Sequence, residues 1–450
     1  MNTSAPSHEA HDLVFNVSPG GVLQGDIRVP GDKSISHRSI MLGSLADGLT
    51  TVEGFLEGED ALATLQAFRD MGVDIQRPAP GKVVIQGVGV NGLKAAPGPL
   101  YLGNSGTSMR LLAGLLAGQS FTSVLTGDSS LSRRPMRRVT EPLKTMGADV
   151  TLSEGGFAPI EIRPAKLNPI DYVMPVASAQ VKSCLLLASL YVDGETRLVE
   201  PAPCRDHTER MLRGFGYPIV SNGNEVRIQG GGRLTACHID IPADISSAAF
   251  FLVGASICPG ADIILRHVGI NPTRIGVLNI LRQMGADIET LKEYEAGGEP
   301  VADLRVRYAP LKGVRIPEDQ VPLAIDEFPA LFIAAACADG ETVLSGAEEL
   351  RVKESDRIQT MADGLAVLGV KHEVKPDGIV IQGQGEKLLG SGTINAHGDH
   401  RIAMSFTMAA LRASGPLKIL DCNNVATSFP GFADLARQCG IALSEDREKQ

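Results

Sequence analysis

IGVLNILRQMGADIET, residues 275 to 290, holds the pattern that decides the architecture. Ile275, Leu278 and Leu281 recur at helical spacing, Gly285 follows, and a short strand-like run comes after it. Glycine just past a helix suits the left-handed cap conformation, so Gly285 reads as a helix end. The same order recurs at Gly72, Gly147, Gly216, Gly369 and Gly440, at intervals of about 69 to 84 residues. That spacing is long for a solenoid repeat and short for an independent domain, so each copy is a supersecondary unit.

A second set of six segments precedes the first: 34–45, 106–116, 179–190, 246–257, 326–338 and 401–411. They are rich in Ala, Ser, Gly, Leu and Ile with few internal charges, which predicts helices buried on all sides. Several end in turns such as Ala46-Asp47-Gly48 or Ala338-Asp339-Gly340 and then become strand-like. The unit is strand, buried helix, strand, outer helix, glycine, strand, and six copies give an α/β protein with a threefold unit in each half. DIRVPGDKSIS (26 to 36) and HIDIPADISS (238 to 247) share a strand, proline, aspartate, serine order, so each opens a half. The expected lobes are 28–240 and 241–450, with a strand from residues 1–27, near 13–23, completing the second lobe.

A chain of 450 residues exceeds what one core usually serves, which agrees with two lobes. Its hydrophobic content is 43%, and no apolar run approaches the roughly 20 residues of a membrane helix. A net charge of −10 argues against a nucleic-acid binder, so anionic ligands must be met locally. The seven cysteines show no CxxC pair or interleaved histidines, which predicts no metal site and a reducing, cytoplasmic setting. Residues 1 to 11 read as a loose tail rather than a secretory signal.

Polar groups gather at the starts of the buried helices. PGDKSISHR (30 to 38) sets Lys33, His37 and Arg38 among small residues after a Pro-Gly turn, like a socket for an anion at a helix start. Asn104, Ser105 and Thr107, then Ser178, Gln180 and Lys182, then Asp326 and Glu327, then Asp399, His400 and Arg401 hold equivalent places. Asp244 and Ser246 read as caps. Packed in parallel, the six helix ends add a positive field at one end of each lobe, and a cleft between two such ends suits a multiply anionic ligand. Arg133 and Arg134, Arg205 to His207, and RVKESDR (351 to 357) add charge where outer helices begin. Arginine's planar fork binds carboxylate or phosphate, and Asp326 and Glu354 among these cations are acid/base candidates.

PGDKSISHR and RVKESDR, with NSGTSMR (104 to 110), RRPM (133 to 136), SAQVKS (178 to 183), RDHTE (205 to 209), DEFP (326 to 329) and DHRIAMSF (399 to 406), resemble the 5-enolpyruvylshikimate-3-phosphate (EPSP) synthase family over nearly the whole chain. The resemblance implies a two-lobed inside-out α/β barrel, each lobe of three βαβαββ units. It implies transfer of the enolpyruvyl group of phosphoenolpyruvate to the 5-hydroxyl of shikimate 3-phosphate, with release of phosphate and no metal or organic cofactor. The family pattern puts Lys33, Ser34, Arg38, Ser178, Ala179, Gln180, Arg205, Asp326 and Lys353 on shikimate 3-phosphate. It puts Lys33, Gly106, Arg134, Gln180, Arg357 and Arg401 on phosphoenolpyruvate. Asp326 would take the hydroxyl proton, while Glu354, Lys33 or Lys353 handles the proton at the vinyl carbon. The expected partners are these two small molecules, with no nucleic acid and no membrane, in a cytoplasmic monomer.

Three departures make the chain look like the divergent, class II-like branch of the family: Arg137 where relatives often have glycine, Thr427 where many have lysine, and Glu349 where many have asparagine. In that branch glyphosate-insensitive enzymes can carry alanine at the place of Gly106, so a roomy pocket that admits glyphosate as an inhibitor is expected here. The rival UDP-N-acetylglucosamine enolpyruvyltransferase uses a loop cysteine, and GDSSLSRRPMRR (127 to 138) has none. A P-loop kinase fails on spacing, because Asp32 separates Gly31 from Lys33. A non-enzymatic repeat scaffold has no need of carboxylates beside cations in both halves. Two crossings between lobes predict a hinge whose closure excludes water.

Overall fold

The computed structural model describes residues 11–449. The tail read at residues 1 to 11 lies outside the described residues save for His11, where the first strand begins. Two hydrophobic cores are present: one is built from residues between Ile35 and Ile241, the other from Phe15 to Val29 together with Ala243 to Leu443.

Six helices fill the two interiors: Lys33–Leu45, Gly106–Ala117 and Ala179–Ser189 in one lobe, and Ile245–Ile257, Phe328–Cys337 and His400–Ala409 in the other. Small side chains let these helices pack against one another rather than against solvent. Every residue of Ile245–Ile257 and of Phe328–Cys337 is buried. The turn containing Asp326 precedes its helix instead of opening it, because Pro329 sits in the first helical turn and Glu327 takes the cap position. Outer helices such as Glu59–Asp70 and Gly276–Gln283 run to glycines in the left-handed region: φ is +90° at Gly72 and +95° at Gly285. The repeat glycines at 147, 216, 369 and 440 share that conformation.

Six small sheets clothe the helices, five of four strands and one of three. In the first, His238–Asp240 runs parallel to Asp47–Glu53, which pairs antiparallel with Lys82–Val88 and so with Asp74–Ala79. The strand His238–Asp240 therefore completes a lobe-one sheet although the chain is about to enter lobe two. Gln24–Ile27, which precedes lobe one, reciprocates by running parallel to Asp262–Gly269 of lobe two. His11–Val17 lies antiparallel between Leu417–Leu420 and Leu443–Lys449, filling the place that a unit's own last strand holds elsewhere. In the three-stranded sheet, Lys312 and Arg315 make only isolated parallel bridges, to Asp339 and Val343. Among the described residues no helix is long and apolar enough to cross a membrane.

Candidate active site

The inner helices aim their N-termini at the gap between the lobes, and short polar side chains fix those ends. Asp32 accepts from Ile35 N at 2.8 Å, Ser105 from Ser108 N at 3.1 Å, Asp244 from Ser246 N at 2.9 Å and Asp399 from Arg401 N at 3.0 Å. Between these ends lies a cavity of about 110 Å³. It opens into a second compartment of about 360 Å³ with a partly apolar rim that includes Val176, Pro322 and Val352. Arg110, Gln180, Arg205, Asp326, Val352 and Lys353 face both.

Lys33, Ser34, Gly106, Arg134, Glu354, Arg357 and Arg401 line the inner compartment, and Ser178 and Ala179 line the outer one. Lys33 Nζ pairs with Asp60 of the neighbouring outer helix and donates to Ser428 Oγ across the lobes at 3.0 Å. Asp326 is the convergence point: Arg205 of lobe one lies 2.5 Å away, and Lys353 and Arg357 of lobe two each lie 3.3 Å away. Glu354 accepts from Arg357 at 2.6 Å and lies 3.8 Å from Arg134. Arg357 is anchored in turn by Asp399 at 2.8 Å.

Burial alone would raise the Asp326 carboxyl, but Lys353, Arg205, Arg401 and Arg357 outweigh it and hold it well below the ordinary carboxylate range. Glu354 behaves alike: burial raises it, and Arg357 and Arg134 lead the cations that pull it well down. Both are ionised at neutral pH. His400, whose Nε2 is buried without a hydrogen-bond partner, is held well below its usual value by burial and by Arg401, so it is uncharged.

In PGDKSISHR the helix starts at Lys33, and His37 lies inside it, with Nδ1 2.9 Å from Thr64 Oγ1. Burial first, then Lys33 and Arg38, keep the His37 imidazole neutral. Arg38 lines neither compartment; its guanidinium donates to Thr208 Oγ1 at 2.7 Å, Ser183 Oγ at 2.9 Å and Ser34 O at 2.9 Å behind the floor. Sequence reasoning missed Asp60, Arg110 and Arg274, which also line the cavity. Arg110 was within reach, since it closes the NSGTSMR motif four residues after Gly106 at helical spacing.

The three departures have local explanations. Arg137 opens the outer helix Arg137–Thr145 and points to solvent beside Gly156. Thr427 Oγ1 donates to Asn424 O at 2.6 Å and is buried away from the cavity. Glu349 forks onto Arg138 of the other lobe through two 2.9 Å hydrogen bonds. Among the described residues no group of three or more His, Cys, Asp or Glu side chains is placed to hold a metal ion.

Comparison with known proteins agrees with this geometry. The family profile described as EPSP synthase (3-phosphoshikimate 1-carboxyvinyltransferase) matches residues 17–435. The 3-phosphoshikimate 1-carboxyvinyltransferase of Methylococcus capsulatus is 67% identical over 433 residues, covering 96% of this chain and 98% of that protein. The protein of the same name from Alkalilimnicola ehrlichii is also 67% identical, over 96% of this chain and 97% of that protein. A solved structure of EPSP synthase from Acinetobacter baumannii superposes with a TM-score of 0.88 at 57% identity, covering 96% of this chain and all of that one.

Proposed function

From the premise that the chain belongs to the EPSP synthase family, we propose how its two compartments divide the work of the reaction. The enzyme transfers the enolpyruvyl group of phosphoenolpyruvate to the 5-hydroxyl of shikimate 3-phosphate, giving 5-enolpyruvylshikimate 3-phosphate and phosphate. One observation carries the division: Asp326 stands where the compartments meet, whereas Glu354 faces only the inner one.

Shikimate 3-phosphate occupies the outer compartment, on Ser178, Ala179, Gln180, Arg205 and Lys353, with Lys33 and Ser34 reaching from the inner wall. Arg38 acts on it from behind, by holding Ser34 and Ser183. Phosphoenolpyruvate occupies the inner compartment against Lys33, Gly106, Arg134, Gln180, Arg357 and Arg401. Asp326 takes the proton of the attacking hydroxyl. Glu354, with Lys33 and Lys353 beside the two ligands, governs the proton at the vinyl carbon. Protonating that carbon creates a cationic centre, stabilised by fixed carboxylates, to which the 5-oxygen bonds; loss of a proton from the same carbon as phosphate departs to the arginines restores the double bond.

The depressed carboxyls fit this cycle. Incoming phosphate and carboxylate groups compete for Lys353, Arg205, Arg357 and Arg134, so each ligand loosens the hold on Asp326 and Glu354 and lifts them toward proton exchange.

Glyphosate competes with phosphoenolpyruvate for the inner compartment, because no side chain at Gly106 narrows it. The seven cysteines are unpaired and six of them are buried, which suits a reducing cytoplasm, and we place the enzyme there as a monomer.

Phosphate release is the test. It should require both substrates together, with neither sufficing alone. Release from phosphoenolpyruvate with UDP-N-acetylglucosamine, or none from the correct pair, would overturn the reading. Replacing Asp326 with Asn should lower kcat by about 10²- to 10⁴-fold.

A further inference from the structure

The two crossings between lobes lie side by side behind the cavity. Asp32 N donates to Pro242 O at 2.8 Å and Asp244 N to Pro30 O at 2.9 Å, so residues 30–32 and 242–244 pair antiparallel. Each aspartate caps the first inner helix of its own lobe, as described above. Arg274, on the loop before the outer helix Gly276–Gln283, reaches both of them. Its Nη1 lies 2.8 Å from Asp32 Oδ2, and its Nη2 lies 3.1 Å from Asp244 Oδ1 and 2.7 Å from Ser246 Oγ. The side chain is only 3% exposed.

These contacts lead on to the reacting groups. Asp244 Oδ2 accepts from the backbone N–H of Lys33 across the lobes at 3.0 Å. Ser246 Oγ donates to Glu327, the neighbour of Asp326. One planar guanidinium is thus tied to a lobe-one cap, a lobe-two cap, and the chain segments that present Lys33 and Asp326. Lysine in its place would carry the charge without the fork that holds two carboxylates at a set separation.

We propose that Arg274 is a positioning residue for the transfer reaction, the pivot that sets Lys33 of one lobe against Asp326 of the other as the lobes close. Arg274 borders the inner compartment, but its donors are taken up by Asp32, Asp244 and Ser246, so it acts through them and Glu327. The inference rests on the reaction proposed above.

Two full-length variants test it. Arg274→Lys keeps the charge and removes the fork. Asp32→Asn keeps a capping side chain, since Asn caps as well as Asp, and removes the lobe-one arm. Each is checked for fold by circular dichroism and assayed well below its melting temperature. Turnover is followed by phosphate release, and binding of shikimate 3-phosphate alone by calorimetry. Both variants should bind shikimate 3-phosphate within about threefold of wild type, because the Arg274 and Asp32 side chains hydrogen-bond none of the side chains assigned to that ligand, yet lose tenfold or more in kcat. A purely structural role predicts a loss that tracks the unfolded fraction and vanishes in folded protein. A folded Arg274→Lys with kcat within twofold of wild type, or with affinity falling as far as kcat, overturns the proposal. Should Arg274→Lys fail to fold, Asp32→Asn decides alone, and wild-type turnover in it overturns the proposal equally. Wild type that releases no phosphate from both substrates removes the reaction and this inference with it.

Discussion

Gly106 has little room for change. A Cβ placed there would stand 3.2 Å from the Arg110 guanidinium and 3.2 Å from that of Arg134, so an added methyl must displace cations assigned to phosphoenolpyruvate or next to it. One methyl group in a pocket is worth roughly 10- to 200-fold in discrimination. Gly106→Ala should therefore weaken glyphosate by at least about tenfold in a competition assay, with a smaller rise in KM for phosphoenolpyruvate; unchanged inhibition would count against a shared pocket. The carboxylates yield a second prediction at this scale. Asp326 and Glu354 are both held well below their ordinary values by cations that the ligands must share. Binding should raise both groups, so the two carboxyls take up protons rather than release them. Calorimetry of phosphoenolpyruvate binding to the shikimate 3-phosphate complex, repeated in buffers of different ionisation enthalpy near pH 6, should show fewer protons released than the ligand's phosphate alone sheds on becoming a dianion, and Glu354→Gln should release more than wild type. The sign for stability follows from the same depression: pairing of Asp326 with its cations stabilises the fold above about pH 3.9 and is lost as pH falls toward the depressed value.

At the scale of the element, glycines have opposite meanings on inner and outer helices. Gly114 lies in Gly106–Ala117 where that helix meets Ala179–Ser189, and a Cβ there would come 2.0 Å from Cys184 O. Gly214 ends the outer helix His207–Gly214 with nothing within 4 Å of its would-be Cβ. Gly114→Ala must push two backbones apart and should cost about 1–3 kcal/mol or more. Gly214→Ala should gain about 0.5–1 kcal/mol from helix propensity. Thermal melting of the two variants should thus move in opposite directions. The same distinction explains what the sequence made legible. The repeat glycines and the buried character of the inner helices are carried by residues within one turn or two of each other, so local spacing was enough to find them. Arg274 carries no such signal. Its partner Asp32 lies 242 residues away, and nothing near Arg274 in the chain distinguishes it from any arginine before an amphipathic helix. Asp60 is similar, one of two acids in the first turn of an outer helix until the fold brings Lys33 to it. His37 is also illegible from its neighbours: nothing in the chain beside it tells a buried neutral imidazole from a third cation until burial decides its protonation.

Across the whole molecule, a chain of net charge −10 encloses a cavity of the opposite sign. Lobe one lines the inner compartment with Lys33, Arg110, Arg134 and Arg205 against Asp60, and lobe two lines it with Arg274, Lys353, Arg357 and Arg401 against Asp244, Asp326 and Glu354. Both faces are net positive, by three charges and by one, so they repel until an anion lies between them. Direct pairs oppose that repulsion. Arg205 with Asp326 and the fork of Arg138 on Glu349 join the lobes, the latter with both side chains about a third exposed. The exposed Arg138–Glu349 pair contributes about 0.2–1 kcal/mol and is weakened by salt, so by itself it does not hold two repelling faces shut, and the more buried pairs of Arg205 with Asp326, Arg134 with Glu354 and Arg274 with Asp32 carry most of the direct contact. A phosphorylated ligand reaching cations from both lobes is the stronger tie. Small-angle scattering should therefore show the radius of gyration falling when shikimate 3-phosphate is added, with less compaction in about 0.5 M salt, where screening reaches only a few ångströms. Glu349→Gln should leave the liganded radius unchanged and shift only the free enzyme, by no more than about a fivefold change in the open-to-closed ratio. A radius that ignores the ligand at low salt would mean that the lobes are fixed by their own contacts, and that the two crossings are struts rather than a hinge.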